Sequence, residues 1–181
     1  MSLEIKKGKV LAVCSSPVHG LPTYPQEFVK VNSDGIEGDA HSGPLRSSFR
    51  NPGTLKPNDR AISIVSQETI NEMNAKFGLS IKQGGFNEQL RVEGMGDLSD
   101  VGIGFLVLLQ NGVELIVTDY AWPCDRLEKF HGEPSLAKYL EGTREDGTRF
   151  TKRGILASVI QTGEIRPGEE IRILSPLANL V

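Results

Sequence analysis

Cys124, Asp39 and His41 are the residues of this chain whose types and settings best suit chemistry, and Cys124 leads them. It sits in Val117-Thr118-Asp119-Tyr120-Ala121-Trp122-Pro123-Cys124-Asp125-Arg126-Leu127, where the only tryptophan, a proline and one of two cysteines are consecutive. This stretch follows the most apolar segment, Phe105 to Val117, and changes character abruptly. Pro123 lacks a backbone donor and cannot continue a central strand. Beyond it, Leu127 and Phe130 among charged residues predict a short helix ending at Gly132. Cys124 then falls at or near the first turn, where free amides and the helix dipole favour a thiolate. A soft anionic sulfur at such a junction can act as a nucleophile, carry sulfur or bind a soft metal. The plainer alternative is a small buried apolar residue, the usual position of a free cysteine.

Asp39 and His41 lie in Gly35-Ile36-Glu37-Gly38-Asp39-Ala40-His41-Ser42-Gly43, a glycine-punctuated loop with two acids and a histidine. Together with Cys124 they raise the question of zinc. Structural zinc takes four Cys or His ligands, often in close pairs. Two cysteines and three histidines without such a pair argue against a closed site of that kind. A cysteine-histidine hydrolase stays open, because those partners meet in space rather than in sequence. His131 follows Cys124 by seven residues, two helical turns and roughly 10 Å away. It reads as a helix-terminal cap favoured by the dipole, which leaves His41 as the better partner. Arg60 and Lys152-Arg153 start strands, and Arg46 and Arg50 lie in a long loop. Guanidinium groups match phosphate oxygens; the plainer reading is solvated charge at strand ends.

The elements that position these residues follow from pattern. Lys9 to Cys14 predicts a first strand stopped by Ser15-Ser16-Pro17, with Cys14 in the core. Gln26 to Val31 suits a second strand, and residues 42–60 a long polar surface loop. Ala61 to Val65 is a strand that runs into Ser66, a helix N-cap. Ile70, Met73 and Phe77 at i, i+3 and i+7 predict a helix over 67–77, stopped by Gly78. Leu90 and Val92 mark a short strand. Phe105–Gln110 and Val113–Thr118, joined by Asn111-Gly112, predict a hairpin with a two-residue type I′ turn. Ser135 to Leu140 suits another helical turn or two, and residues 142–151 a polar loop. Ile155–Ile160 and Glu170–Leu174 are strands around the turn-like Thr162–Gly168. Many short strands and few helices predict a mainly β fold with α decorations, a closed or partly open barrel of mixed or antiparallel strands. No GxGxxG or Walker loop points to a nucleotide-binding α/β fold.

At 181 residues the chain fits a single domain able to bury its own core. A net charge of −3 gives no global argument for nucleic acid or an anionic membrane. The longest apolar run falls far short of the roughly 20 residues that span a bilayer. The N-terminal residues lack a convincing signal-peptide pattern, and two cysteines 110 positions apart make no secreted disulfide framework. The expected location is the cytoplasm.

Taken in order, GIEGDAH, RAISIVSQE, GGFNEQL, VTDYAWPC and RGILASVIQTGEIRPGEEI resemble the MOSC domain, named for the C-terminal region of molybdenum cofactor sulfurases. The resemblance runs from about Lys9 to Leu174 and implies a strand-rich barrel. It implies that Cys124, after Pro123, is the functional thiol and the metal ligand in members that bind molybdenum cofactor (molybdopterin). It further implies catalytic roles for Asp39 and His41 beside Cys124, and cofactor contacts from Arg60, Asn87, Glu88, Thr118 and Arg153. One departure is Gln89, where many members resemble GxFGENL with asparagine. The chain resembles a stand-alone bacterial MOSC protein, without an assignable pyridoxal phosphate site. Three functions follow from the resemblance: a molybdenum enzyme reducing small N-oxygenated substrates with electron-donor proteins; a sulfur carrier loaded by a pyridoxal-phosphate-dependent cysteine desulfurase; or a non-catalytic cofactor-binding module. None of them implies nucleic acid or a membrane.

Overall fold

Alternating burial builds the central hairpin. Val107 and Leu109 on one strand, and Val113, Leu115 and Val117 on the next, turn inward, while their neighbours are half-exposed. The computed structural model describes residues 2–48, 51 and 53–176; Arg50 lies outside the described residues. The chain runs β1 (Ser2–Ser15), β2 (Tyr24–Gln26), β3 (Val29–Asn32), β4 (Gly35–Ile36), β5 (Leu45–Ser47), β6 (Leu55–Pro57), β7 (Ile62–Ser66) and α1 (Gln67–Phe77). It continues through β8 (Leu90–Glu93), β9 (Leu106–Leu109), β10 (Glu114–Tyr120), α2 (Asp125–His131) and α3 (Leu136–Leu140). It then forms β11 (Glu141–Thr143), β12 (Arg149–Thr151), β13 (Ile155–Gln161), β14 (Gly163–Ile165) and β15 (Glu170–Pro176).

Seven strands close a barrel in the order β15-β9-β10-β13-β7-β8-β1, with β1 pairing back onto β15 and β2 appended to β1. The barrel pairings are antiparallel except β7–β8, whose parallel register is reached through α1 as a crossover. β1 is longer than its apolar run suggests. Its first half pairs with β15 from Ser2↔Pro176 to Lys9↔Glu170, and its second half with β8 from Lys9↔Glu93 to Val13↔Leu90. Register shifts at Glu4/Lys6 and Val10/Ala12 provide the local bends that let one strand serve both neighbours.

The barrel interior holds one apolar cluster that includes Val10, Ile62, Ile64, Leu115, Ile155, Ile171 and Ile173. Fully burying each such side chain contributes roughly 1.5–3 kcal/mol relative to exposure. A second cluster of Val65, Ile70, Met73, Ile81, Phe86, Leu127, Leu136 and Leu140 packs the three helices outside the barrel. It fixes α2, and so the residue that begins it. α1 takes its predicted ends: Ser66 Oγ accepts from Thr69 N–H at 3.1 Å, and Gly78 has φ 64°.

Several expectations are corrected. Asn111-Gly112 does not form a type I′ turn, because only Gly112 has positive φ, 88°. The loop is three residues, Gln110 to Gly112, with Gly112 N–H donating to Leu109 O at 3.0 Å. A two-residue turn would set Leu109 opposite Glu114 and move one strand's apolar side chains to the other face. The observed pairs, Leu108↔Glu114 and Val107↔Leu115, keep Val107 and Leu115 on the buried face. Residues 42–60 hold the hairpin β5–β6 and residues 142–151 the hairpin β11–β12, where loops were expected. The second strand divides into β2 and β3, and the turn-like 162–168 segment contains β14.

Candidate active site

Five segments joined by side-chain contacts carry the sequence candidates: the 39–41 loop, the 58–60 segment before β7, the 84–89 loop before β8, and the 119–124 and 153–154 segments at β10 and β13. Cys124 is the N-cap of α2, with φ −141° and ψ 167°. Its carbonyl accepts from Leu127 N–H at 3.0 Å. The residue is exposed and its sulfur makes no capping hydrogen bond, so the thiol is free to meet a partner.

Arg153 connects that cysteine to the 84–89 loop. Its Nη1 donates to Trp122 O at 2.8 Å and its Nη2 to Phe86 O at 3.0 Å, while its buried Nε has no partner. Burial holds the guanidinium below its ordinary value, with the nearby Cys124 and Glu88 acting in the opposite direction. Gly154 makes this placement possible. It has φ 139°, and a Cβ there would lie 2.2 Å from Ile64 O. Its carbonyl accepts from Ala121 N–H at 3.0 Å, tying β13 to the approach to Cys124.

Asp39 and His41 form a dyad. Asp39 Oδ1 accepts from the His41 backbone N–H at 2.8 Å and lies 2.8 Å from His41 Nδ1; Oδ2 accepts from Ser16 N–H at 3.0 Å. Burial pushes the Asp39 carboxyl up, but the bonds from the His41 ring, His41 N–H and Ser16 N–H outweigh it and hold the group below its usual range. An ionised carboxylate only accepts, so His41 Nδ1 carries the proton. In the neutral ring Nε2 is then the proton-accepting atom, and Asn87 Nδ2 lies 3.2 Å from it. Asn87 Oδ1 is buried without a partner. His19 packs edge-on against the His41 ring, centroids 5.0 Å apart.

Asn87 has φ 61°, the one positive value among the described non-glycine residues. It stands where the GxFGENL pattern has glycine, and asparagine is the side chain that best tolerates that backbone. An asparagine in a glycine position is the sequence signal that would have marked this left-handed turn. The other candidates are held closer to the scaffold. Arg60 pairs with Asp119 through Nη2 and keeps a buried, unpartnered Nε. Thr118 Oγ donates to Asp59 O. Glu88 is fully buried; Oε1 accepts from Gly84 N–H and from Arg91, and Oε2 from Phe86 N–H. His131 does not cap its helix end: its Nε2 lies 2.7 Å from Gly85 O, bracing the 84–89 loop from behind. Among the described residues no three His, Cys, Asp or Glu side chains converge to hold a metal.

Two clefts lie elsewhere. One of about 690 Å³, lined by residues including Tyr24, Lys82, Gly85, Phe130 and His131, sits behind the 84–89 loop; one of about 540 Å³ lies near Lys7, Glu68 and Glu93.

A family model described as the MOSC domain matches residues 37–172, which include every one of these candidates. The chain belongs to the MOSC family. YuaD of Bacillus subtilis, whose name links it to metal-sulfur cluster biosynthesis, is 30% identical over 152 residues, 78% of this MOSC chain and 77% of YuaD. The YuaD crystal structure has the same fold, with TM-score 0.81 at 24% identity over 97% of this chain and 100% of that one. YiiM from Geobacillus stearothermophilus shares the fold at TM-score 0.66 and 20% identity, over 92% and 74% of the two chains. Among the described residues of this MOSC domain, no helix is long and apolar enough to cross a membrane.

Two expected results arise here. Brief alkylation of the native, cofactor-free MOSC protein should label Cys124 and leave Cys14 unmodified. Cys14 is buried in β1, where burial first and then the Glu88 charge push its thiol up to about 12. Mass spectrometry that found Cys14 labelled first would overturn this ordering. The second concerns acid. Because the Asp39 carboxyl is depressed in the fold, it contributes stability above the unfolded carboxylate range near pH ~4, lost as pH falls through the lower folded value. Asp39→Asn should therefore lower the urea midpoint at neutral pH by an amount worth about 1–3 kcal/mol. The gap to wild type should close progressively in acid, and a gap constant with pH would remove the carboxylate from the account.

Proposed function

We propose that this MOSC protein binds molybdenum cofactor with Cys124 as the metal ligand and reduces small N-oxygenated compounds. The observation that carries the reading is the company Cys124 keeps. A sulfur carrier needs an accessible thiol and little else. Here Arg153, close enough to sense the Cys124 charge, bonds Phe86 O, and the adjacent Asn87 reaches the His41 of the Asp39–His41 dyad, while Asn87 Oδ1, Arg60 Nε and Arg153 Nε are buried without internal partners. These residues fit such a group, since a soft sulfur suits a soft metal centre and the unpartnered atoms suit a polar, anionic ligand.

When bound, the cofactor would supply oxygen-atom transfer and two-electron redox chemistry. The net reaction breaks one N–O bond, takes two electrons from a donor protein and two protons, and releases water. The chain's own residues handle the rest. Asp39 keeps the proton on His41 Nδ1, so that Nε2 receives and returns protons at a fixed position. Asn87 holds the far side of the ring. Arg153 ties the Trp122 and Phe86 carbonyls together and keeps positive charge near Cys124, a setting that suits an anionic ligand. Arg60 offers a second charge at the rim, shared with Asp119.

The test is metal and pterin analysis of protein purified from a molybdate-fed, cofactor-competent host, followed by reductase assay with N-hydroxylated substrates. Arg153→Ala should lower cofactor occupancy about ten- to a hundredfold, the equivalent of one charge-assisted contact of about 1.5–3 kcal/mol, and recover part of it with excess cofactor. A second reading, favoured by the exposure of Cys124 and by the name of YuaD, is a sulfur carrier for metal-sulfur cofactor assembly. In that case the purified protein holds no molybdenum, a cysteine desulfurase loads Cys124 as a persulfide, and Arg153→Ala barely affects loading.

A further inference from the structure

Gln89 occupies the position where asparagine is common in the GxFGENL pattern, and the structure shows where its longer side chain reaches. It is 2% exposed and woven into the barrel: its N–H donates to Ser63 O at 3.1 Å, and its carbonyl accepts from Cys14 N–H at 2.8 Å. Its side-chain Oε1 accepts from Ser63 N–H at 2.9 Å and from Ser63 Oγ at 3.0 Å. A backbone N–H can only donate, so the Ser63 amide dictates which end of the carboxamide faces it. Nε2 must point the other way, where it lies 3.4 Å from Asp39 Oδ1 and 3.3 Å from His41 Nδ1.

We propose that Gln89 is a positioning residue for the Asp39–His41 dyad, a bridge from β7 that fixes the ring's tautomer and the direction of Nε2. The proposal rests on the reading that the dyad handles protons at this site. Other bonds anchor the 39–41 loop, from Ser16 N–H to Asp39 and from Asn58 Nδ2 to His41 O at 2.8 Å. Gln89 differs from them in touching both the carboxylate and the ring. Two donors cannot bond each other, so Nε2 and Nδ1–H stand side by side and both donate to Asp39 Oδ1; Nε2 reinforces the ionised carboxylate, and an ionised Asp39 in turn requires the proton on Nδ1. Asparagine is one carbon–carbon bond shorter, and the glutamine already meets Asp39 at 3.4 Å, the long end of a hydrogen bond. The groups facing the His41 ring are then Asp39, Gln89, Asn87 and the edge-on His19.

Nitrogen-15 NMR of the imidazoles across pH, on the full cofactor-free chain, tests this, with His19→Gln spectra to separate the neighbouring ring. Wild-type His41 should appear as the Nδ1–H tautomer. Gln89→Leu and Gln89→Asn should convert it to a tautomer mixture. Gln89→Glu keeps the reach to Ser63 but adds a carboxylate beside the ring, and should raise the ring's titration midpoint by about one to three units. A wild-type ring with the proton on Nε2, or ring signals unchanged in all three variants, would overturn the proposal. If unfolding curves show that the Gln89 variants do not fold, Ser63→Ala decides. It frees one of the two bonds that orient the amide and should shift the tautomer balance in the same direction by less; no shift overturns the proposal. None of these readings needs bound cofactor. A protein that responds as expected yet has no reductase activity would count against the function and leave the role of Gln89 standing.

Discussion

On the proposed reductase function, Cys124→Ser should give a fully folded protein in which reduction of N-hydroxylated substrates falls by at least about a thousandfold, about 4 kcal/mol in the barrier. The two halves of this expectation have separate causes. Cys124 is exposed and caps α2 without a side-chain hydrogen bond, and serine is a preferred N-cap. Stability should therefore be unchanged or slightly higher, which removes misfolding as an explanation for lost activity. The chemistry, in contrast, exchanges a soft, ionisable sulfur for a hard, weakly acidic hydroxyl. Thermal melts beside steady-state assays check both halves. A variant within about tenfold of wild type would remove the thiol from the mechanism, and a lower melting point would assign Cys124 to structure.

The second large effect concerns stability. Arg91 is among the largest fully buried side chains, and its guanidinium is taken up entirely within the fold: Nε and Nη2 bond Glu88, Nη1 donates to Gln67 Oε1 at 3.0 Å, and Nη2 donates to Lys82 O at 3.0 Å. Glu88 in turn holds the Gly84 and Phe86 amides. Arg91→Ala strands the buried Glu88 carboxylate without its counter-charge and should cost about 3–5 kcal/mol. For a chain of this length that corresponds to a fall of roughly 6–20 °C in melting temperature. Combining Glu88→Gln with Arg91→Met should recover part of the loss, because no unpaired charge remains. A single variant that melts with wild type would show that the pair contributes nothing net. If the 84–89 loop loosens first, brief proteolysis should cut near it before the protein unfolds globally.

The sequence signalled the elements governed by inward-facing alternation or by caps. Val107, Leu109, Leu115 and Val117 announced β9 and β10, and Ser66 and Gly78 bounded α1. Pro123 and Gly132 framed α2, which placed Cys124 at its start. The hairpins β5–β6 and β11–β12 were hidden, because polar surface strands with few buried residues lack that alternation. The Asn111-Gly112 turn was misread because a local preference was set against a register that buries Val107 and Leu115, and burial prevailed. At the site, residue types pointed to Cys124, Asp39, His41 and Arg153. Pairwise geometry was beyond reach: nothing local says that Glu88 turns inward to Arg91, that His131 braces Gly85, or that Gln89 spans from Ser63 to Asp39. The last two join segments far apart in sequence, and the first depends on a buried turn that a one-dimensional pattern does not encode.

The seam between β1 and β15 also sets the order in which this protein acquires its structure. Its register joins Ser2 to Pro176 and Lys9 to Glu170, so it closes a loop of nearly the whole described chain. Closing a long loop carries more entropy than closing a short one, and non-local pairings slow folding. The β9–β10 hairpin forms from neighbouring residues, whereas the seam waits for the last strand to leave the ribosome. Until then the first half of β1 presents unpaired backbone along a strand flank, a template for pairing with another chain. Newly made protein is thus most vulnerable to aggregation in the interval before β15 docks, and substitutions that weaken the β15 register should lower the yield of folded protein more than the activity of the molecules that do fold.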